Sequence, residues 1–313
     1  MPDSAENKPI IPVLTGPTGA GKTAVVNRLL VDFPDLHVIS ADSRQIYKYL
    51  NIGTDKPSKA ELDKFNYHLI DFVSPGERFT AFDFVDASRK IVTQLLTKDI
   101  TPLISGGTGL YIKSLVEGIV ELPDDDLSIR QRLEEDLIVK GPKYLYDRLQ
   151  EVDPDEAGEI HPNNIRKIIR ALEIYHLTGR PKSKIIKQQG VDSQFRFDVI
   201  CLAPSREQLY DNINRRVDRM FKDGLLTETE SFQNMGLAEM IRSINVIGYT
   251  ELFRYLDDQI SLSTAINLIK QNSRRFAKRQ LTWFRGMREL KMMRSQESAY
   301  QYLKGFWLSK IKT

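Results

Sequence analysis

Residues 16–23, GPTGAGKT, occupy every fixed position of the phosphate-loop pattern G-x-x-x-x-G-K-[ST]. An apolar run at residues 10–15 before the loop indicates a buried strand, and residues 24–33 after it repeat apolar residues at helical spacing. The loop therefore joins a strand to a helix N-terminus, where backbone N–H groups and the helix dipole favour a phosphate or a diphosphate. Because Pro12 removes a ladder donor, we expect the strand to begin after it. A glycine-rich turn without a ligand is the alternative.

The loop residues have separate expected roles. The glycines let the backbone fold around an anion, Lys22 reaches the terminal phosphate, and Thr23 offers its hydroxyl to Mg²⁺, the expected metal. The residues expected to bind the phosphates are Gly16, Pro17, Thr18, Gly19, Ala20, Gly21, Lys22 and Thr23.

Composition narrows the class of protein. The chain has 313 residues, 41% hydrophobic and 28% charged, which is typical of a soluble globular protein, and its net charge of +3 implies no particular partner. Cys201 is the only cysteine, which excludes an internal disulfide and a cysteine-based zinc site. Because no apolar run reaches about 18 residues and the N-terminus has no signal-peptide pattern, we expect a cytoplasmic protein without a membrane segment.

Strand patterns separated by helical patterns predict a parallel sheet. Further strands are expected at residues 36–40, 67–72, 101–105 and 198–203, and a helix at 79–98. Between 123 and 195 the pattern is helical throughout. Its cues are a capping box at Ser128 and Gln131, a stop at Gly141-Pro142, and caps at Asp153 and at Asn163 or Asn164. The predicted fold class is α/β: a P-loop type parallel sheet flanked by helices, formed by 8–122 and 196–313, with an all-helical insertion domain at 123–195.

Two polar segments follow predicted strands at the sheet edge where α/β proteins bind ligands. Asp42 follows the strand at 36–40, and the turn Gly106-Gly-Thr-Gly109, which contains Thr108, follows the strand at 101–105. Asp42 could instead cap a turn, and the glycines could serve close packing.

Arg216 lies within the apolar stripe of a predicted helix. The stripe consists of Leu209, Ile213, Val217 and Met220. A buried arginine is costly without a partner, so a permanent or bound anion should meet it, unless the side chain reaches the surface.

The last third of the chain is basic on one side of a predicted helix. From Leu262, the residues Ile266, Ile269, Phe276 and Trp283 are expected to face inward, and Lys270, Arg274, Lys278 and Arg285 another side. Through Arg294, Glu289 is the only acidic residue, which favours a polyanion such as nucleic acid over an ordinary solvated face. In the insertion, Arg166 and Arg170 share a helix face, for which solvated side chains are the common explanation.

Several ordered motifs resemble the bacterial tRNA dimethylallyltransferases over nearly the whole chain. Besides the phosphate loop they are DSRQ at 42–45, IGTDKP at 52–57, YHLID at 67–71, GGTGLY at 106–111, IHPNN at 160–164, RALE at 170–173 and RRFAKRQLTWF at 274–284. The resemblance implies transfer of the dimethylallyl group from dimethylallyl diphosphate to N6 of adenosine 37. The acceptors would be tRNAs that read codons beginning with U, and the products N6-isopentenyladenosine and diphosphate.

By this resemblance the loop binds the diphosphate, Asp42 is the general base, and Thr108 contacts the substrate. Lys22, Thr23 with Mg²⁺, and Arg216 neutralise the leaving group. The partners implied are a tRNA anticodon stem-loop and dimethylallyl diphosphate, and a monomer is expected. The implied tRNA-binding residues are Asp42, Ser43, Arg44, Gln45, Thr108, Arg130, Arg166, Lys167, Arg170, Arg274, Arg275, Lys278, Arg279 and Gln280.

Tyr67 and Asp55 depart from the family pattern, and neither is expected to touch the chemistry. Three other classes share part of the pattern. A nucleotide kinase or other ATP-binding P-loop enzyme would use the loop, an adenylate isopentenyltransferase would use free nucleotide, and an RNA-binding module would use only the cations.

Overall fold

One parallel sheet organises the computed structural model, which describes residues 8–189, 194–287 and 289–311. Within those residues its strands are β1 (Ile10–Thr15), β2 (His37–Ser40), β3 (Asn66–His68), β4 (Leu103–Gly106), β5 (Arg196–Leu202) and β6 (Lys291–Met293). Their order in the sheet is β3-β2-β4-β1-β5-β6, and every neighbouring pair is parallel. The predicted α/β class is confirmed.

Helices connect the strands and continue beyond them. The first are α1 (Lys22–Asp32), α2 (Lys59–Lys64), α3 (Ala81–Leu96) and α4 (Gly109–Glu117). The next are α5 (Leu127–Val152), α6 (Pro154–Glu159), α7 (Ile165–Thr178) and α8 (Lys182–Gln189). The last are α9 (Arg206–Lys222), α10 (Leu225–Asn234), α11 (Ala238–Ile244), α12 (Tyr249–Leu256), α13 (Leu262–Arg285) and α14 (Gln296–Ile311). None of these described helices is long and apolar enough to cross a membrane.

The chain forms two compact units, one of residues 1–116 with 193–313 and one of 117–192. The first contains the sheet, and its core joins Leu29 and Leu30 of α1 to Leu303 and Trp307 of α14. The second contains α5 to α8, of which α5, α6 and α7 pack around a separate apolar core that includes Leu145 and Leu172.

Two strand predictions were wrong in extent. β1 includes Pro12. At this residue β1 pairs only with β5, because its pairing with β4 begins at Val13, so a residue without an N–H is tolerated there. β3 ends at His68 because Leu69 and Asp71 have left-handed backbones, with φ of 59° and 58°. β6, an edge strand beside β5, was missed.

Local capping explains the helix boundaries of the second unit. Asp153 caps α6 with Pro154 at its first position, and Asn164 caps α7, as predicted. α5 is interrupted at Gly141, whose φ is 83°, where the stop was predicted. The predicted capping box at Ser128 is wrong, because Asp126 accepts the N–H groups of Ser128 and Ile129 instead.

Candidate active site

The phosphate loop connects β1 to α1, and its lysine folds back onto it. Lys22 is the first residue of α1, and its Nζ donates to the carbonyls of Gly16 at 2.8 Å and Pro17 at 3.0 Å. Burial lowers the pKa of Lys22 to about 8, and the negative charge of Asp42 partly opposes that shift. A desolvated ammonium of this kind is stabilised when an anion reaches it.

A cavity of about 1200 Å³ lies over the loop, within the first unit. Five loop residues line it: Thr18, Gly19, Gly21, Lys22 and Thr23. The structure brings further predicted residues to the same wall, namely Asp42, Ser43, Arg44, Gln45, Thr108, Arg216, Arg279 and Gln280. At this volume the cavity has room for a small-molecule ligand and part of a second substrate.

Asp42 stabilises a turn and also lines the cavity. Its Oδ1 accepts the backbone N–H groups of Arg44 at 2.9 Å and Gln45 at 3.3 Å, so the residue does stabilise a turn. Within the described residues its Oδ2 accepts no hydrogen bond from the protein. The turn thus fixes the carboxylate on the cavity wall and leaves one oxygen for a ligand.

The second glycine turn packs closely against the segment that carries Asp42, and one of its residues also lines the cavity. A Cβ on Gly106 would lie 2.1 Å from the carbonyl oxygen of Ala41, so this position requires glycine for close packing. Thr108 lines the cavity, and its Oγ1 accepts the backbone N–H of Ser43 at 2.9 Å. The turn therefore holds the segment that carries Asp42.

Arg216 meets a permanent anion, as the cost of burying it requires. Its Nε lies 3.5 Å from Oδ2 of Asp55, and its guanidinium also donates to Oγ1 of Thr18 in the phosphate loop. Oδ1 of Asp55 accepts a hydrogen bond, 3.0 Å long, from Arg219. Asp55 and Tyr67, which were not expected to touch the chemistry, both line the cavity.

Gln280 differs from the cations around it. Its side chain is only 8% exposed, its Oε1 accepts the backbone N–H of Thr18 at 2.9 Å, and its Nε2 donates to the carbonyl of Gly107 at 2.7 Å. Although it was expected among the tRNA contacts, its polar atoms are bonded to the two glycine-rich turns. The side chain of Gln280 therefore connects the two turns by hydrogen bonds.

The orientation of α13 was predicted only in part. Arg275, Lys278 and Arg279 are exposed, and Arg274 donates to Asn214 at 2.6 Å. Phe276 and Trp283 do not face the core, since they are 39% and 45% exposed and line the cavity. The buried positions of α13 are Ala265, Ile269, Ala277, Gln280 and Phe284. Arg288, which continues the predicted basic stretch beyond this helix, lies outside the described residues.

In the second unit, the predicted RNA contacts divide into two groups. Arg130 and Arg170 hold the buried carboxylate of Glu173, at 3.2 Å and 2.9 Å. Arg166 and Lys167 are exposed. Only the second group offers cations that are not already paired inside this unit.

No group of three or more His, Cys, Asp or Glu side chains suited to a metal occurs in the part of the chain that the structure describes. The exposed hydroxyl of Thr23 borders the cavity beside Lys22. In phosphate loops the Ser or Thr at this position offers its hydroxyl to Mg²⁺, which completes its coordination with substrate phosphates and water, so Thr23 fits such an ion.

A parallel sheet with a phosphate loop at its carboxyl edge, and a cation-lined cavity over that loop, defines a phosphate-loop α/β protein whose cavity is suited to a phosphorylated ligand. The family model for IPP transferase matches residues 45–287. The chain belongs to the IPP transferase family, which confirms the resemblance seen in its motifs.

Named relatives match this chain over most of its length. It is 42% identical to tRNA dimethylallyltransferase 1 of Syntrophotalea carbinolica over 90% of either chain, and 41% identical to tRNA dimethylallyltransferase of Bacillus cereus over 88% of this chain and 86% of the relative. The structure of full-length tRNA isopentenylpyrophosphate transferase from Bacillus halodurans matches with a TM-score of 0.68 at 35% identity, covering 98% of this chain and 97% of that one. A eukaryotic dimethylallyltransferase acting on tRNA matches with a TM-score of 0.72 at 26% identity, covering 88% and 70%.

Proposed function

We propose that this protein transfers the dimethylallyl group of dimethylallyl diphosphate to N6 of adenosine 37 in tRNAs reading codons that begin with U. The products are N6-isopentenyladenosine and diphosphate. One observation carries the proposal: Lys22 of the phosphate loop, Asp42 and Arg279 of α13 border one cavity. The relatives named tRNA dimethylallyltransferase support the same reaction.

The reaction replaces a carbon–oxygen bond with a carbon–nitrogen bond and moves one proton. The amine N6 attacks the first carbon of the dimethylallyl group, the bond from that carbon to the diphosphate oxygen breaks, and Asp42 accepts the proton that N6 loses. A base is needed because the lone pair of N6 is delocalised into the adenine ring, and general bases contribute about 10²–10⁴ in rate.

The leaving diphosphate gains negative charge that the loop has to neutralise. Lys22 and Arg216 supply cations at the loop, together with the backbone N–H groups. Mg²⁺, when bound, would add positive charge there, and Thr23 is the residue that would hold it. Thr108 keeps the segment from Asp42 to Gln45 in place by its hydrogen bond to Ser43.

The RNA would bind along the exposed cations of α13. Arg275, Lys278 and Arg279 suit phosphate groups, and the exposed rings of Phe276 and Trp283 suit stacking of bases that leave the anticodon loop. Arg166 and Lys167 in the second unit are further RNA contacts in this proposal. We propose that the protein acts as a monomer in the cytoplasm.

The test combines purified protein, Mg²⁺, dimethylallyl diphosphate and an unmodified anticodon stem-loop, followed by mass analysis of the RNA. We expect the mass to rise by one C5H8 unit, and no rise for a stem-loop with guanosine in place of adenosine 37. Transfer to free AMP but not to RNA would favour an adenylate isopentenyltransferase. Steady phosphate release from ATP alone, without prenyl transfer, would favour a P-loop kinase or ATPase.

A further inference from the structure

The loop between β2 and α2 presents a carboxylate to the arginines of the cavity. Asp55 Oδ2 lies 3.5 Å from Nε of Arg216, and Asp55 Oδ1 accepts a hydrogen bond of 3.0 Å from Arg219. The same Arg216 donates to Thr18 in the phosphate loop. The carboxylate of Asp55 therefore lies beside Arg216, the cation that would neutralise the diphosphate.

This loop is anchored. Glu228 accepts the backbone N–H groups of Asn51 at 2.9 Å and Ile52 at 3.0 Å, and the carbonyl of Asp55 accepts from the side chain of Gln45 at 3.0 Å. Asp55 itself has a left-handed backbone, with φ of 55°, a conformation that aspartate tolerates better than most residues. These bonds aim the carboxylate at α9.

We propose that Asp55 is an internal competitor of the diphosphate. In the empty cavity its charge holds Arg216 and Arg219 in place. When a diphosphate is bound, the same charge repels it and competes for Arg216, so that the product leaves more readily. This inference rests on the proposed function, since it assumes that the loop and Arg216 bind a diphosphate.

Competition between Asp55 and the diphosphate predicts that removing Asp55 strengthens diphosphate binding, which a purely structural ion pair does not predict. If Asp55 only stabilised the fold, its removal would lower stability and leave diphosphate affinity unchanged or weaker. If it competes with the ligand, its removal lowers the thermal midpoint of the ligand-free protein slightly but strengthens diphosphate binding. Like charges a few ångströms apart at a protein surface justify an increase of about 3- to 30-fold.

The experiment measures the binding of inorganic diphosphate with Mg²⁺ by calorimetry, and its inhibition of prenyl transfer. Asp55→Asn should bind diphosphate about 3- to 30-fold more tightly than the unmodified chain, and diphosphate should inhibit it more strongly by the same factor. Asp55→Ala serves as a second variant, checked by circular dichroism. Asp86→Asn is the matched control, because Asp86 is an exposed carboxylate that pairs with Lys90 at 2.7 Å and does not line the cavity. Its diphosphate affinity should not change.

The outcomes separate this inference from the proposed function. Equal or weaker diphosphate binding by both Asp55 variants, in a protein that still binds diphosphate and transfers the prenyl group, overturns the inference alone. Absence of both diphosphate binding and transfer in the unmodified protein overturns the proposed function, and this inference with it.

Discussion

The backbone N–H of Thr18 donates a 2.9 Å hydrogen bond to Oε1 of Gln280, which ties the phosphate loop to α13. Nε2 of Gln280 donates to the carbonyl of Gly107, so one side chain sets the spacing between the phosphate loop and the second glycine turn. Replacing Gln280 with Met keeps its size but removes both bonds, and an orphaned buried group costs about 1–3 kcal/mol. We expect kcat/KM for dimethylallyl diphosphate to fall about 5- to 100-fold, with RNA affinity within twofold. As a control, replacing the exposed Gln271 of α13 with Met should have little effect on kcat/KM or on RNA affinity.

Asp42→Asn tests the base without disturbing the turn. Asparagine keeps an oxygen that can accept the N–H groups of Arg44 and Gln45, but it does not take a proton from N6. Single-turnover transfer should slow by about 10²–10⁴, whereas the dissociation constant of the stem-loop should stay the same. Transfer at nearly the normal rate would show that another group accepts the proton.

The lowered pKa of Lys22 predicts a pH dependence of diphosphate binding. With a pKa of about 8, the free site carries this cation below pH 8 and loses it as the pH rises through that value. Affinity for diphosphate should therefore weaken above about pH 8. Lys22→Arg stays charged over this range, so its profile should lack that step. Comparing the two cancels the titration of diphosphate itself, and parallel profiles would contradict the assignment.

The exposed cations of α13 predict salt-dependent RNA binding. Lys278→Gln with Arg279→Gln should weaken binding and reduce the slope of log affinity against log salt by about 0.7–0.9 for each lost phosphate contact. Lys59→Gln with Lys90→Gln removes the same charge from exposed positions of α2 and α3 and should leave the slope unchanged. Equal slopes for the two double variants would place the RNA elsewhere.

Several structural features that depend on residues close together in the sequence were predicted correctly. The strand, loop and helix around Lys22 follow from a motif and two periodicities, and the caps at Asp153 and Asn164 depend on groups a few residues away. The orientation of Phe276 and Trp283 was not predictable this way, because periodicity shows which residues share a face but not whether a core or a cavity covers it.

The remaining site residues depend on distant partners. Arg219 is 164 positions from Asp55, and Gln280 is 262 positions from Thr18, so no local pattern links either pair. β6 has three residues and joins the sheet only through β5, which leaves too short a stretch to show alternation.

The packing of α14 on α1 has a consequence for synthesis of the protein. The phosphate loop is made long before α14, but Leu29 and Leu30 of its helix belong to the same apolar core as Leu303 and Trp307 of α14. The nascent chain can form the loop early, yet the core around its supporting helix stays incomplete until α14 has left the ribosome. The phosphate loop thus depends on a segment that is synthesised much later.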